Sequence, residues 1–174
     1  MNEQLSIKRT KGNDVDFQEL ITALDKELWN ELNEDQAIYD QFNKVPDIHT
    51  ALVLYVNEKP AACGCIKSYN KTTAEIKRMF VIKEFRGKGF SSIILKELEN
   101  WALELGFQYA ILETSIHFKA ARALYTNAGY QIIDNYDQYA DLEESVCMKK
   151  ELIIAGYQSQ FTKTIVTNEH KSKE

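Results

Sequence analysis

The sequence predicts a mixed α/β (α+β) fold, a central β-sheet flanked by helices in the order β-αα-βββ-α-β-α-ββ. Three observations carry that reading. Apolar residues recur at spacings of three and four over 15–33 and again over 90–105, as in helices that bury one stripe. Short apolar or alternating runs of strand length lie between and after them. Glycines stand where the helical period stops, at Gly106 and Gly129.

Taken in order, Leu5 to Arg9 alternates like a short strand, and Gly12-Asn13-Asp14 breaks it, with Asn13 or Asp14 placed to cap the first helix. That helix carries Phe17, Leu20, Ile21, Leu24, Leu28 and Leu32 on one stripe, and a weaker second helix is expected over 34–42. Thr50–Val56 and Ala61–Ser68 read as a hairpin around Asn57-Glu58-Lys59-Pro60, and Thr72–Ile82 as the third strand. A helix then runs from Phe90 to Leu105, a strand over Tyr109–Leu112, and a helix from Phe118 to Ala128. Strands over Tyr130–Ile133 and Ser145–Lys149 complete the order. With two prolines and no Ser/Gly-rich linker, residues 1–152 are expected to form a single domain. Residues 153–174 read as an extension, partly disordered or adding an edge strand or dimer contact.

Composition narrows the function. Of 174 residues, 44% are hydrophobic and 27% charged, ordinary for a globular chain, so a full core is expected. The net charge of −5 lacks the basic excess of a nucleic-acid binder. No apolar run approaches the roughly 20 residues that cross a bilayer, and the first residues lack the order of a secretory signal, which points to a cytoplasmic protein. Cys63, Cys65 and Cys147 are too few and scattered for a disulfide framework, and His49, His117 and His170 make no ligand spacing, so no metal is expected.

The chemistry-bearing segment is Phe85-Arg86-Gly87-Lys88-Gly89-Phe90-Ser91, between a strand and an amphipathic helix. Glycines let main-chain N–H groups approach a ligand, the helix N-terminus adds partial positive charge, and Arg86 and Lys88 add fixed charge. That combination suits phosphate, although an ordinary basic turn would read the same way. It is neither a Walker A loop nor a three-glycine dinucleotide fingerprint.

Downstream come Leu112-Glu113-Thr114 and then Ala121-Arg-Ala-Leu-Tyr125-Thr-Asn-Ala-Gly129-Tyr130. Together with the Arg86–Ser91 turn these resemble the GCN5-related N-acetyltransferase (GNAT) superfamily, whose R-x-x-G-x-G/A and A-x-x-L-Y-x-x-x-G-[FY] elements they match. The late Ser145-Val-Cys-x-x-Lys150 strand is similar to that of small bacterial-type members. The resemblance implies acetyl-CoA as co-substrate. Arg86, Gly87, Lys88, Gly89, Phe90 and Ser91 would hold its diphosphate, and the strand at Met79, Phe80 and Val81 would pair with the pantetheine arm, one N–H polarising the thioester carbonyl. Ser91 departs from the usual Gly or Ala, and Phe118 stands where many members carry an asparagine, which makes it a packing residue.

Two candidates carry the proton chemistry. Glu75 matches the base glutamate of histone-type members; alternation puts it on one face with Lys77, Met79 and Val81, and a solvated pair with Lys77 is its plainer reading. Tyr125 matches the tyrosine that protonates the departing thiolate, and would otherwise be a core aromatic. The expected function is transfer of acetyl to the amine of a small molecule. The alternatives are a peptide or protein amine, or a CoA-binding module without turnover. Residues 14–47 hold ten acids against two lysines, which would attract a cationic acceptor or simply form a solvated face. Tyr136 and Tyr139 could line the same mouth. The active species is expected to be a monomer or homodimer.

Overall fold

The protein is described from a computed structural model over residues 3–32 and 48–152; the helix expected over 34–42 and the extension 153–174 lie outside these residues. Strand β1 (Leu5–Thr10) leads into helix α1 (Val15–Leu32), whose first turn is capped by Asp14 Oδ1 accepting from the Phe17 N–H at 3.2 Å. Strands β2 (Ala51–Val56), β3 (Lys59–Ser68) and β4 (Thr73–Val81) follow, then helix α2 (Phe90–Glu104), strand β5 (Tyr109–Ser115) and helix α3 (Lys119–Asn127). Strands β6 (Gln131–Ile133) and β7 (Ser145–Glu151) complete the fold.

The seven strands form one sheet in the order β1-β2-β3-β4-β5-β7-β6. Neighbours are antiparallel except β4 and β5, which run parallel. The β2–β3 turn is tight, with Asn57 and Glu58 both at positive φ (49° and 65°), the backbone that a two-residue hairpin requires.

Both sheet faces are covered, which explains the unbroken apolar run Ala51-Leu-Val-Leu of β2. On one face Leu52, Leu54, Ala62 and Ile76 pack with Ile94, Leu95 and Leu98 of α2. On the other, Ala51, Val53, Cys63, Cys65 and Phe80 pack with Phe17, Leu20 and Ile21 of α1. Gly64 lets α2 sit close to β3: a Cβ there would come within 2.8 Å of Leu98 and of the Met79 sulfur. The strand order sets up the site, since among the described strands β4 and β5 are the only parallel neighbours and they separate.

Candidate functional site

The β4–β5 ladder consists of Thr73–Tyr109, Ala74–Ala110 and Glu75–Ile111. Beyond Glu75 the strands part, because β5 continues antiparallel to β7 as far as Ser115 while β4 stays with β3. From Ile76 onward, β4 therefore has no strand partner on its β5 side among the described residues. A bulge accompanies the divergence: Cys63 pairs with Phe80 but Cys65 with Lys77, and Arg78 takes φ 59°.

The bulge corrects the simple alternation expected for β4. Arg78 and Phe80 pack towards α1, Glu75 and Lys77 meet Tyr136 and Tyr139, and Met79 and Val81 pack with the α2-side core. One extra residue shifts the phase of every side chain after it. Glu75 and Lys77 thus share a face, without Met79 and Val81.

The parted strands open a cleft of about 650 Å³, walled by β4, β5, α1, α3 and the turn entering α2. At the end of β4 a single 3-10 turn (Lys83–Phe85) leads to Arg86–Gly89. Gly87 and Gly89 have φ of 77° and 81°, a left-handed backbone that favours glycine, and a Cβ on either would meet nothing within 4 Å. The space before them is open, and the main-chain N–H groups of Gly87, Lys88 and Gly89 have no partner among the described residues. An anionic group fits such a turn at the start of a 15-residue helix. Arg86, Gly87, Gly89, Phe90 and Ser91 line the cleft; Lys88 does not, its ammonium pairing with Glu3 and lying 5.7 Å from the centroid of the Phe85 ring.

Deeper in the cleft, the Glu75–Lys77 pair is buried rather than solvated. Their charged atoms are 3.5 Å apart, and the Tyr136 hydroxyl donates to the same Oε1 of Glu75 at 2.9 Å. Lys77 in turn donates to the Tyr139 hydroxyl at 3.1 Å. Tyr139 lines the cleft and stacks edge-on with Tyr136, whose ring centroid is 5.5 Å away. Tyr125 also lines it, 6% exposed and edge-on to Tyr130 at 5.8 Å; burial pushes its phenol above the usual range, and nearby Glu113 adds to the shift. Tyr125 belongs to the core as well, so packing and cleft lining coincide. Phe118 proves to be a half-buried cleft residue just before α3 rather than part of the main core.

Sequence reasoning named Glu113 within the Leu112-Glu113-Thr114 segment but gave it no role. Its carboxyl faces the cleft from β5, accepts a hydrogen bond from the Ser145 hydroxyl at 2.8 Å, and has its pKa raised by burial. A charged residue inside the apolar strand Tyr-Ala-Ile-Leu-Glu-Thr was the available signal. Arg78 was given none either: its side chain is buried beneath α1, with Nη2 2.5 Å from Asp25 and Nε without a partner.

Acids of α1 form internal contacts. Asp25 pairs with Arg78, Glu27 with Arg86, and Asp16 accepts from the Tyr55 hydroxyl at 2.6 Å. Burial pushes the Cys65 thiol up to about 12 and raises Cys63 as well, the setting of structural rather than nucleophilic cysteines. His117 is exposed, 3.3 Å from Glu144. Among the described residues no group of three or more potential ligands is placed to hold a metal ion.

The acetyltransferase (GNAT) family matches residues 15–130. A solved Klebsiella pneumoniae protein, assigned as an acyl-CoA N-acyltransferase, superposes with a TM-score of 0.72 at 30% identity, covering 86% of this chain and 99% of that one. A GNAT acetyltransferase from Elizabethkingia anophelis, solved with acetyl-CoA bound, shares the fold at 15% identity (TM-score 0.63, 87% and 100% covered). Probable N-acetyltransferase 14 of Xenopus tropicalis is 33% identical over 85 residues, 47% of this chain and 41% of that relative, so the match spans less than half of its length. The divided sheet, the glycine turn and the family match converge: the chain belongs to the acetyltransferase (GNAT) family.

Proposed function

We propose that this chain transfers the acetyl group of acetyl-CoA to the amine of a small molecule. One observation carries the reading: the unpaired edge of β4 runs into the open glycine turn inside the same cleft as Tyr125, Glu75 and Glu113. Bound acetyl-CoA would supply an activated thioester there. Everything else falls to the chain.

Main-chain N–H groups from Gly87 to Ser91, at the positive end of α2, hold the diphosphate. The β4 edge at Met79, Phe80 and Val81, where the Val81 carbonyl now accepts from Arg86 Nε, takes the amide-bearing pantetheine arm as an added strand, and an N–H of that edge polarises the thioester carbonyl. An ammonium acceptor must first lose a proton. Glu75 takes it, directly or through water; both of its charged or hydroxyl partners sit on Oε1, which leaves Oε2 for this task. Glu113, whose environment raises its affinity for protons, is the second carboxyl able to do so. Tyr125 donates the phenolic proton to the departing thiolate, and holding the reactants in line supplies much of the remaining rate.

A small acceptor is favoured by a cleft of about 650 Å³ whose lining includes Tyr139 and α1, the helix fastened to β4 through Asp25–Arg78. The test is thiol release from acetyl-CoA against a panel of small amines and basic peptides, beside calorimetry with CoA. Turnover with small amines is expected. Turnover with peptides alone would overturn the acceptor class, and CoA binding without any turnover would leave a sensor.

A further inference from the structure

Arg86, the cation of the phosphate turn that faces the cleft, already has a partner. Its Nη2 donates to both carboxylate oxygens of Glu27 at 2.7 Å, and its Nε donates to the Val81 carbonyl at 2.9 Å. Its guanidinium lies over the Phe80 ring, 5.7 Å from the centroid. Lys88, the other cation of the turn, is held by Glu3. Each basic side chain of a turn suited to an anion is thus neutralised by a glutamate from a distant part of the chain.

Glu27 lines the cleft, and Arg86 and Glu27 are 42% and 34% exposed, so the pair is solvated enough to exchange. At 100° per residue, Asp25 and Glu27 lie on opposite flanks of the Leu24–Leu28 stripe that lines the cleft. Asp25 reaches the buried Arg78 on one flank, and Glu27 reaches Arg86 on the other. The two acids fasten α1 to β4 and to the turn that follows it.

We propose that Glu27 stands in for phosphate: it occupies Arg86 in the free chain, the diphosphate of CoA displaces it, and Glu27 thereby sets cofactor affinity and ties the seating of α1 to cofactor occupancy. This rests on the CoA reading above. A doubly charged diphosphate outcompetes a single carboxylate for the Nη2 group that Glu27 holds. Glu27 acts only through Arg86, so it is a positioning residue.

The test compares Glu27→Gln with wild type by calorimetry, using CoA and pantetheine, which lacks the diphosphate. Loss of a partly exposed competing ion pair is expected to tighten CoA binding about two- to fivefold. Pantetheine affinity should not change, and KM for acetyl-CoA should fall while kcat holds. Arg86→Gln should weaken CoA binding, and in that background Glu27→Gln should have no further effect. Unchanged or weaker CoA binding by Glu27→Gln overturns the exchange and would mean that Glu27 preorganises Arg86. Tighter binding of pantetheine as well would also overturn it, by showing a general loosening of the cleft. Failure of wild type to bind CoA overturns the CoA reading together with this one.

Discussion

At the scale of single residues, Tyr125 and Glu113 face each other across a charge argument. Tyr125 is nearly sealed, and burial beside a carboxyl keeps its phenol protonated, the state a proton donor needs. Tyr125→Phe is expected to lower kcat by about 10²-fold or more while KM for acetyl-CoA stays nearly constant. Steady-state kinetics check this, and an equal loss of thermal stability would point to packing instead. Glu113 has its pKa raised above 4.5, so the folded state binds a proton that the unfolded state has released. Its contribution therefore opposes folding increasingly as pH rises from 4.5 through the folded value. Glu113→Gln, which keeps an acceptor for Ser145, is expected to be more stable than wild type at neutral pH. The advantage should vanish below pH 4.5, as urea titrations at several pH values would show.

At the scale of elements, the contact between α2 and β3 is the least forgiving. Gly64→Val would drive its side chain into Leu98, Ile94 and Met79, at a cost of about 1–3 kcal/mol readable by thermal melting. The order of the described strands and helices, a cap at Asn13 or Asp14 and the glycine turn were legible in the sequence, because each rests on local chemistry: period, capping oxygen, positive φ. The β4 bulge was not. Lys77-Arg78-Met79 reads as ordinary alternation, and nothing in an arginine announces a φ of 59°. The role of Glu113 stayed hidden because a lone acid in an apolar strand does not say which neighbour it meets. The pairing of Glu27 with Arg86 joins residues 59 apart, so it was beyond any local pattern and the acid-rich stretch looked like a solvated face.

For the whole molecule, the cleft unites parts that fold from distant stretches: α1, the middle of β4, the turn into α2, β5 and α3. A ligand that touches all of them is linked to global stability. CoA at about a hundred times its dissociation constant should add about 2.7 kcal/mol, raising Tm by roughly 5–10 °C for a chain of this length. Differential scanning fluorimetry measures it, and no shift would refute binding across the cleft. The parting of β4 from β5 has one more consequence. A strand edge with vacant hydrogen bonds is ordinarily an invitation to aggregate, because any extended polypeptide can add to it. Here that edge lies inside the cleft, with α1 and α3 among its walls, whereas the outer edges of the sheet are β1 and β6.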